Sequence, residues 1–189
     1  QSGSDEMLSI MRRRYRSDLY RDRVELIKKL MPDACIGVDV ITGHPGETKT
    51  LFQESFHFVD RLDVSYLHVF TYSERANTFA LNLSPIVPKS ERKSRTHRFR
   101  RLSAKKRFEF DRQFEGQTRP VLFEEANKEG FMFGWSDNYV RIAVPYSARL
   151  VNTIQEVKIG KYSKEGFHFG RLTDNVIDEE QVINEILIG

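Results

Sequence analysis

Apolar positions recur along the chain with two different periods, and the change of period divides it. Tyr20, Val24, Ile27 and Met31 fall on one face at helical spacing and Pro32 follows, which predicts a helix over 17–31. Before it, Ser4-Asp5-Glu6 reads as a helix start, with Ser4 as cap and two acids in the first turn. Residues 35–42 read as a strand, largely apolar on both faces as in a buried parallel sheet, and Gly43-His44-Pro45-Gly46 reads as a turn. A helix then begins near Thr48 to Thr50, with Phe52, Phe56 and Val59 on one side, and residues 65–72 form the next strand. Strand, helix and strand of these lengths make a βαβ unit with parallel neighbouring strands. After a loop to Pro88, a long basic helix is expected over 89–112. Its narrow stripe is Phe99, Leu102 and Phe110, with the stem of Lys106 filling the gap, and most of the helix is expected to face solvent or a partner. Phe108 points away from that stripe.

Beyond Gly116 the helical period gives way to short strands at 120–124, 130–135, 139–144, 153–159 and 167–172, separated by turn residues. Five short strands suggest a small barrel of the OB kind, with a domain boundary near Gln113. The fold class expected is thus α/β plus all-β. Residues 179–187 read as a short amphipathic helix or a loose acidic tail.

Composition narrows the function classes. A chain of 189 residues can bury a core without staples, and its single cysteine, Cys35, excludes an intramolecular disulfide. No apolar run approaches the ~20 residues of a membrane span. The opening Gln1-Ser2-Gly3-Ser4-Asp5 is polar with no apolar stretch after it, so no secretory signal is read there and a soluble cytoplasmic protein is expected. The net charge of +3 conceals two basic stretches, Arg12–Arg23 and Lys89–Arg112, and an acidic end with Asp174, Asp178, Glu179, Glu180 and Glu185. Concentrated basic charge points to a polyanionic partner.

Two features carry candidate chemistry. The run from Gly43 to Thr48 sits at the carboxyl end of a parallel strand, where α/β sheets place ligands, and the helix after it offers free N–H groups. Asp39 is a carboxylate within an apolar strand, where unpaired burial is costly, so it is expected to meet a cation in the core or face a polar cavity. In the barrel Phe131, Phe133, Trp135 and Tyr139 lie close in sequence to Arg119, Arg141 and Arg149. Rings beside cations suit RNA, since bases stack on rings and cations hold phosphates, although strand alternation is expected to place about half of these rings in the core.

Several motifs taken together carry a resemblance. They are Gln1-Ser2-Gly3-Ser4; Met11-x-Arg13-x-Tyr15; Asp39-Val40-Ile41-x-Gly43-x-Pro45-Gly46-Glu47-Thr48; and His68-Val69-Phe70-x-Tyr72-Ser73-x-Arg75-x-x-Thr78-x-Ala80. With Gly116, Val121-Leu122-Phe123-Glu124, Gly134 and Asn138-Tyr139-Val140 after them, the chain resembles the radical S-adenosylmethionine methylthiotransferases that end in a TRAM domain. His44 stands where that family often has Phe, and Asn77 where Gly is common; His44 is read as a tolerated loop residue.

The resemblance implies a C-terminal fragment. Residues 1–112 would be the later part of a partial (βα) radical-SAM barrel with its basic connecting helix, 113–175 a five-stranded OB-like TRAM barrel, and 176–189 an acidic tail. It implies S-adenosylmethionine and [4Fe–4S] clusters as cofactors of the full-length enzyme. A cluster needs several thiolates, so the resemblance also implies that both cluster sites lie before Gln1, and this part alone is expected to bind no cluster or other metal and to be inactive. Gln1, Ser2, Ser4, Arg13 and Asp39 would line the S-adenosylmethionine side, with Arg13 on the ligand carboxylate; Tyr72 and Arg75 would approach the substrate. The partner implied is tRNA at its anticodon stem-loop, held by Arg95, Arg98, Arg101, Lys105, Arg119, Tyr139 and Arg141. Arg98, Arg101 and Lys105 are read as one face opposite the apolar stripe. The modified base implied is a threonylcarbamoyl-adenosine beside the anticodon. Two alternatives stand beside this: an enzyme that methylthiolates an aspartate of a ribosomal protein, and an RNA-binding module without catalysis.

Overall fold

The structure, a computed structural model, describes residues 1–173, the side chains of 126–128 excepted. The tail expected over 176–189, with its helix or loose end over 179–187, lies outside the described residues. The chain divides into two compact units, Gln1–Phe110 and a second beginning at Asp111.

In the first unit β1 (Gly37–Thr42) and β2 (Tyr66–Thr71) pair in parallel, from Gly37 opposite Tyr66 to Thr42 opposite Thr71. The connection between them is α3 (Lys49–Arg61), whose N-cap Thr48 accepts the Leu51 N–H on its hydroxyl. α1 (Asp5–Ile10) and α2 (Ser17–Leu30) precede the sheet, and α4 (Lys89–Arg112) follows it. Val38, Val40 and Leu67 from the sheet bury against Val24 of α2, Phe52 and Val59 of α3, and Phe99 and Leu102 of α4.

Several expectations are corrected here. β1 buries only one face, Val38, Val40 and Thr42, while Gly37 and Asp39 on the other are exposed. Only Tyr20 and Val24 of the α2 stripe meet the core; Ile27 and Met31, at 40% and 62% exposure, do not. Ser4 occupies the N-cap of α1 without capping it, because its hydroxyl donates to Glu54 Oε2 at 2.8 Å instead. Most of α4 is exposed, as its narrow stripe implied; what the stripe did not show is that Arg92, Arg95 and Lys106 are buried along with Phe99, Leu102 and Phe110. Lys106 Nζ donates to the carbonyls of Asp60 and Leu62 at 2.8 and 2.7 Å, satisfying the orphan end of α3. Burial pushes the Lys106 ammonium below its ordinary pKa.

The second unit is a closed barrel of β3 (Thr118–Lys128), β4 (Phe131–Ser136), β5 (Arg141–Pro145), β6 (Ile154–Tyr162) and β7 (His168–Leu172). The strand order is β3-β4-β5-β7-β6, closing back on β3; β5 and β7 pair in parallel and the other neighbours antiparallel. Period-2 alternation sends Val121, Phe123, Met132, Ile142, Val144, Val157 and Ile159 inward, each nearly or fully buried. Gly134 lies where strands approach closely: a Cβ there would stand 2.6 Å from both the Leu122 carbonyl oxygen and Val121 Cγ1. Gly134→Ala is therefore expected to destabilise the barrel by about 1–3 kcal/mol, read from urea unfolding by the fluorescence of neighbouring Trp135. An unchanged midpoint would show that the strands part without cost.

Candidate functional site

The first unit holds a cleft of about 400 Å³ at the carboxyl ends of β1 and β2. Gln1, Met11, Arg13, Ile41, His44, Thr71, Tyr72, Ser73, Arg75 and Thr78 are among the residues lining it. Its floor is set by the turn after β1. Gly43 and Gly46 take φ of +76° and +89°, a region that side chains disfavour. The Gly43 N–H donates to Glu47 Oε2 at 2.7 Å, and Arg95 Nη1 donates to the same carboxylate oxygen and to the Glu47 carbonyl, each at 2.8 Å. Glu47 and Arg95 are 2% and 5% exposed, so this pair clamps the turn from inside. Burial raises the Glu47 pKa, against the pull of the bonds from Arg95 and Gly43. Behind the strand ends, the Thr96 hydroxyl of α4 meets those of Thr42 and Thr71, each at 2.7 Å.

His44 and Tyr72 form one side of the cleft, beside the apolar Met11, Ile41, Phe70 and Ala80. His44 Nδ1 lies 2.7 Å from the Pro45 carbonyl, which can only accept, so that nitrogen carries the proton and a neutral ring has its acceptor at Nε2. The His44 ring meets Tyr72 edge to face at 5.0 Å, and the Arg92 guanidinium stands 5.4 Å from the centre of the Tyr72 ring. Arg92 is held there by Glu74 at 2.7 Å and the Val87 carbonyl. The Tyr72 hydroxyl is buried and makes no hydrogen bond among the described residues. Such a group is costly unless a ligand completes it. Arg13 donates to Gln1 Oε1 at the rim.

The cleft thus gathers Gln1, Arg13, Tyr72 and Arg75 of the residues singled out in the sequence. It does not gather Ser2, Ser4 or Asp39. Ser2 and Ser4 are buried, Ser2 accepting the Ser4 N–H and Ser4 bonded to Glu54. Asp39 is exposed on the open face of β1, so the burial cost that marked it is not incurred. His44 is the residue the sequence reading passed over: its backbone turn was legible, but not that the turn aims the ring at Tyr72.

The basic residues sort by burial. Arg95 is corrected out of the RNA-facing set, since its guanidinium is committed to Glu47 and to Glu91. Arg98, Arg101 and Lys105 are exposed. At about 100° per residue their face sits roughly 110° from the apolar stripe, flanking it and not opposite. Arg98 stands 4.8 Å from the ring centres of both Phe52 and Phe56. On the barrel Arg119 pairs with Asp137 at 3.2 Å and lies over Phe114, while Tyr139, at φ +62°, is 67% exposed in the β4–β5 turn. Phe131, Phe133 and Trp135 share one parity with Arg141 on the outer side of β4 and β5; of the four rings only Phe133 is buried, in a cluster with Ala143 and Phe167, while Phe131, Trp135 and Tyr139 are exposed, fewer than the half expected in the core.

No protein-family profile matches the chain. It is 33% identical over 185 residues to the threonylcarbamoyladenosine tRNA methylthiotransferase MtaB of Bacillus subtilis, covering 95% of this chain and 41% of that protein. It is 38% identical over 128 residues to the same-named protein of Aquifex aeolicus, covering 68% of this chain and 31% of that one. It is 30% identical over 167 residues to the tRNA-2-methylthio-N(6)-dimethylallyladenosine synthase of Protochlamydia amoebophila, covering 87% of this chain and 37% of that protein. The chain therefore spans between about a third and two-fifths of the length of these curated relatives. All three are tRNA-modifying enzymes by name. The chain belongs to the tRNA methylthiotransferase family.

Proposed function

We propose that this chain is the part of a tRNA methylthiotransferase that frames the S-adenosylmethionine and substrate side of a partial (βα) radical-SAM barrel and carries an OB-like TRAM barrel for tRNA. The carrying observation is the cleft at the ends of the parallel strands, where Arg13, Arg75, His44 and the buried, unsatisfied Tyr72 hydroxyl converge. Residues 1–112 are read as the later radical-SAM part and 113–175 as the TRAM domain. The nucleoside is threonylcarbamoyl-adenosine beside the anticodon, as in the names of the Bacillus subtilis and Aquifex aeolicus relatives, while the Protochlamydia amoebophila relative is named for dimethylallyladenosine.

The cleft suits S-adenosylmethionine in its donor set: the Arg13 guanidinium matches a carboxylate in planar fashion, and Gln1 offers an amide beside it. When bound, that cofactor supplies the methyl group and the reactive sulfonium. Ser2, Ser4 and Asp39 remain assigned to the cofactor side as supports around Gln1 and β1. Tyr72 donates its hydroxyl to the substrate, Arg75 offers a cation at the rim, and Arg92 holds the Tyr72 ring in place. The residues of this chain do not fit an iron–sulfur cluster. Cys35 is partly buried near Arg107, and among the described residues no three His, Cys, Asp or Glu side chains gather as metal ligands.

Among the described residues no helix is long and apolar enough to cross a membrane. A cytoplasmic place is proposed from the tRNA partner. The reading is tested by fluorescence anisotropy of the chain with a labelled anticodon stem-loop. Saturable binding displaced by unlabelled tRNA is expected. Displacement by a ribosomal-protein segment bearing an aspartate, with no effect of tRNA, would overturn it in favour of the protein substrate.

A further inference from the structure

The outer face of the barrel carries a second cleft, of about 420 Å³, far in character from the first. Phe133 and Ala143 point outward from β4 and β5, yet are 8% and 1% exposed, because Phe167 covers them. Phe133 meets Phe167 edge to face at 5.2 Å, Phe167 meets Phe169 at 5.3 Å, and Phe169 meets Phe131 at 5.9 Å. Phe131 and Phe169 stay 36% and 46% exposed, so the ring cluster has a buried base and two open edges. The Arg141 guanidinium stands 4.3 Å from the centre of Phe133 and 5.9 Å from Trp135. Its Nε is buried and makes no hydrogen bond among the described residues. The loop closing one side is pinned: Ser163 N–H donates to the Phe167 carbonyl at 2.7 Å, and the Ser163 hydroxyl accepts the Glu165 and Phe167 N–H groups. Lys164, Glu165 and Glu129 complete the rim.

We propose that this cleft receives one unpaired nucleobase of bound RNA, stacked against the exposed rings of Phe131 and Phe169 above the buried Phe133, while Arg141 donates to the adjoining phosphate. This rests on the tRNA reading above and goes beyond it, naming which feature of the RNA is held and by what. A recess between rings reaches only a base freed from its own stack, because a duplex offers edges and phosphates but no open ring faces. The Arg141 guanidinium lines the recess, and a planar guanidinium suits phosphate oxygens. The two rim carboxylates exclude a second phosphate there and can accept from exocyclic amino groups, so one nucleotide, and not a continuous strand of phosphates, fits the charge pattern. The pinned loop keeps the recess open before binding, which reduces the ordering cost of binding.

Trp135 is the only tryptophan of the chain and lies beside Arg141, so its fluorescence reports directly on this face. The full chain is titrated with single-stranded hexauridylate and hexaadenylate, with a blunt RNA duplex, and with the anticodon stem-loop. Saturable quenching by the single strands and the stem-loop, and none by the duplex, is expected. The Phe131→Ala/Phe169→Ala pair is expected to weaken single-strand binding about tenfold or more, by loss of stacking. Both rings are partly exposed, so a preserved melting transition accompanies that loss. Arg141→Gln is expected to flatten the salt slope of single-strand binding by about 0.7, one phosphate. Stem-loop binding at full affinity in the double variant, without any Trp135 signal, would overturn the cleft proposal and leave the tRNA reading standing. No binding of any RNA by the unaltered chain at low salt would remove both.

Discussion

Arg95→Ala is expected to destabilise the first unit by about 3–5 kcal/mol, the cost of breaking a buried ion pair by removing one partner. The reason is what the substitution leaves behind. Glu47 is 2% exposed, and its remaining partner is the Gly43 N–H. An unfolding midpoint lower by more than about 10 °C follows for a unit of this size. The effect is also pH-dependent, with a defined sign. Burial raises the Glu47 pKa from the ordinary 4.5, so folded Glu47 holds its proton more tightly than unfolded Glu47. Stability linked to it is therefore fully present below pH 4.5 and is lost as pH rises through the raised folded value. Without Arg95 the desolvation is less opposed, so the variant should lose more stability than the parent on going from pH 4.5 to neutrality. Replacing both partners with apolar residues, Glu47→Met and Arg95→Met, should recover much of the loss. Thermal melts from pH 4.5 to 8, followed by circular dichroism, check all three outcomes. A variant with the parent's melting profile would show that the turn after β1 does not depend on the pair.

The second large effect is on RNA binding. Arg98→Ala/Arg101→Ala/Lys105→Ala should flatten the dependence of log affinity on log salt by about 2, at roughly 0.7 per phosphate no longer neutralised. All three residues are exposed, and none is tied into the core as Arg95 and Lys106 are. Arg98 also lies over the rings of Phe52 and Phe56, so a modest loss of stability accompanies the change, and a melt separates the two. Arg95 belongs outside this set: replacing it should act through folding, with the slope unchanged in whatever fraction remains folded. Stem-loop anisotropy from 50 to 300 mM salt decides the matter. An unaltered slope in the triple variant would place the phosphate contacts elsewhere than α4.

The burial of Arg95 was partly written in the spacing. Arg92, Arg95, Phe99, Leu102 and Lys106 recur at intervals of three and four, the period of a single helix face. A cation on that face is ordinarily read as solvated; Glu91 one turn back pairs with Arg95, but the partner that shares its burial is a carboxylate 48 residues away in sequence. No local pattern reports a contact of that separation. That Phe131, Phe133 and Trp135 share a face was legible, because strand period puts residues two apart on one side; that this is the outer side was not.

By itself the sequence determined the elements and their kinds. The parallel βαβ unit follows from two short apolar strands with a helix between, α4 from its stripe, and five strands from alternation and turn residues, since each is a local preference expressed within one segment. Tertiary structure alone decided the rest. It closed the barrel through the parallel contact of β5 with β7, and it left one face of β1 and the far half of the α2 stripe exposed. It turned His44 toward Tyr72, sank Arg95 onto Glu47, and drew Phe167 over Phe133. Each of these joins residues distant in the chain, and their free energy comes from desolvation and packing between segments, which no single segment's periodicity encodes.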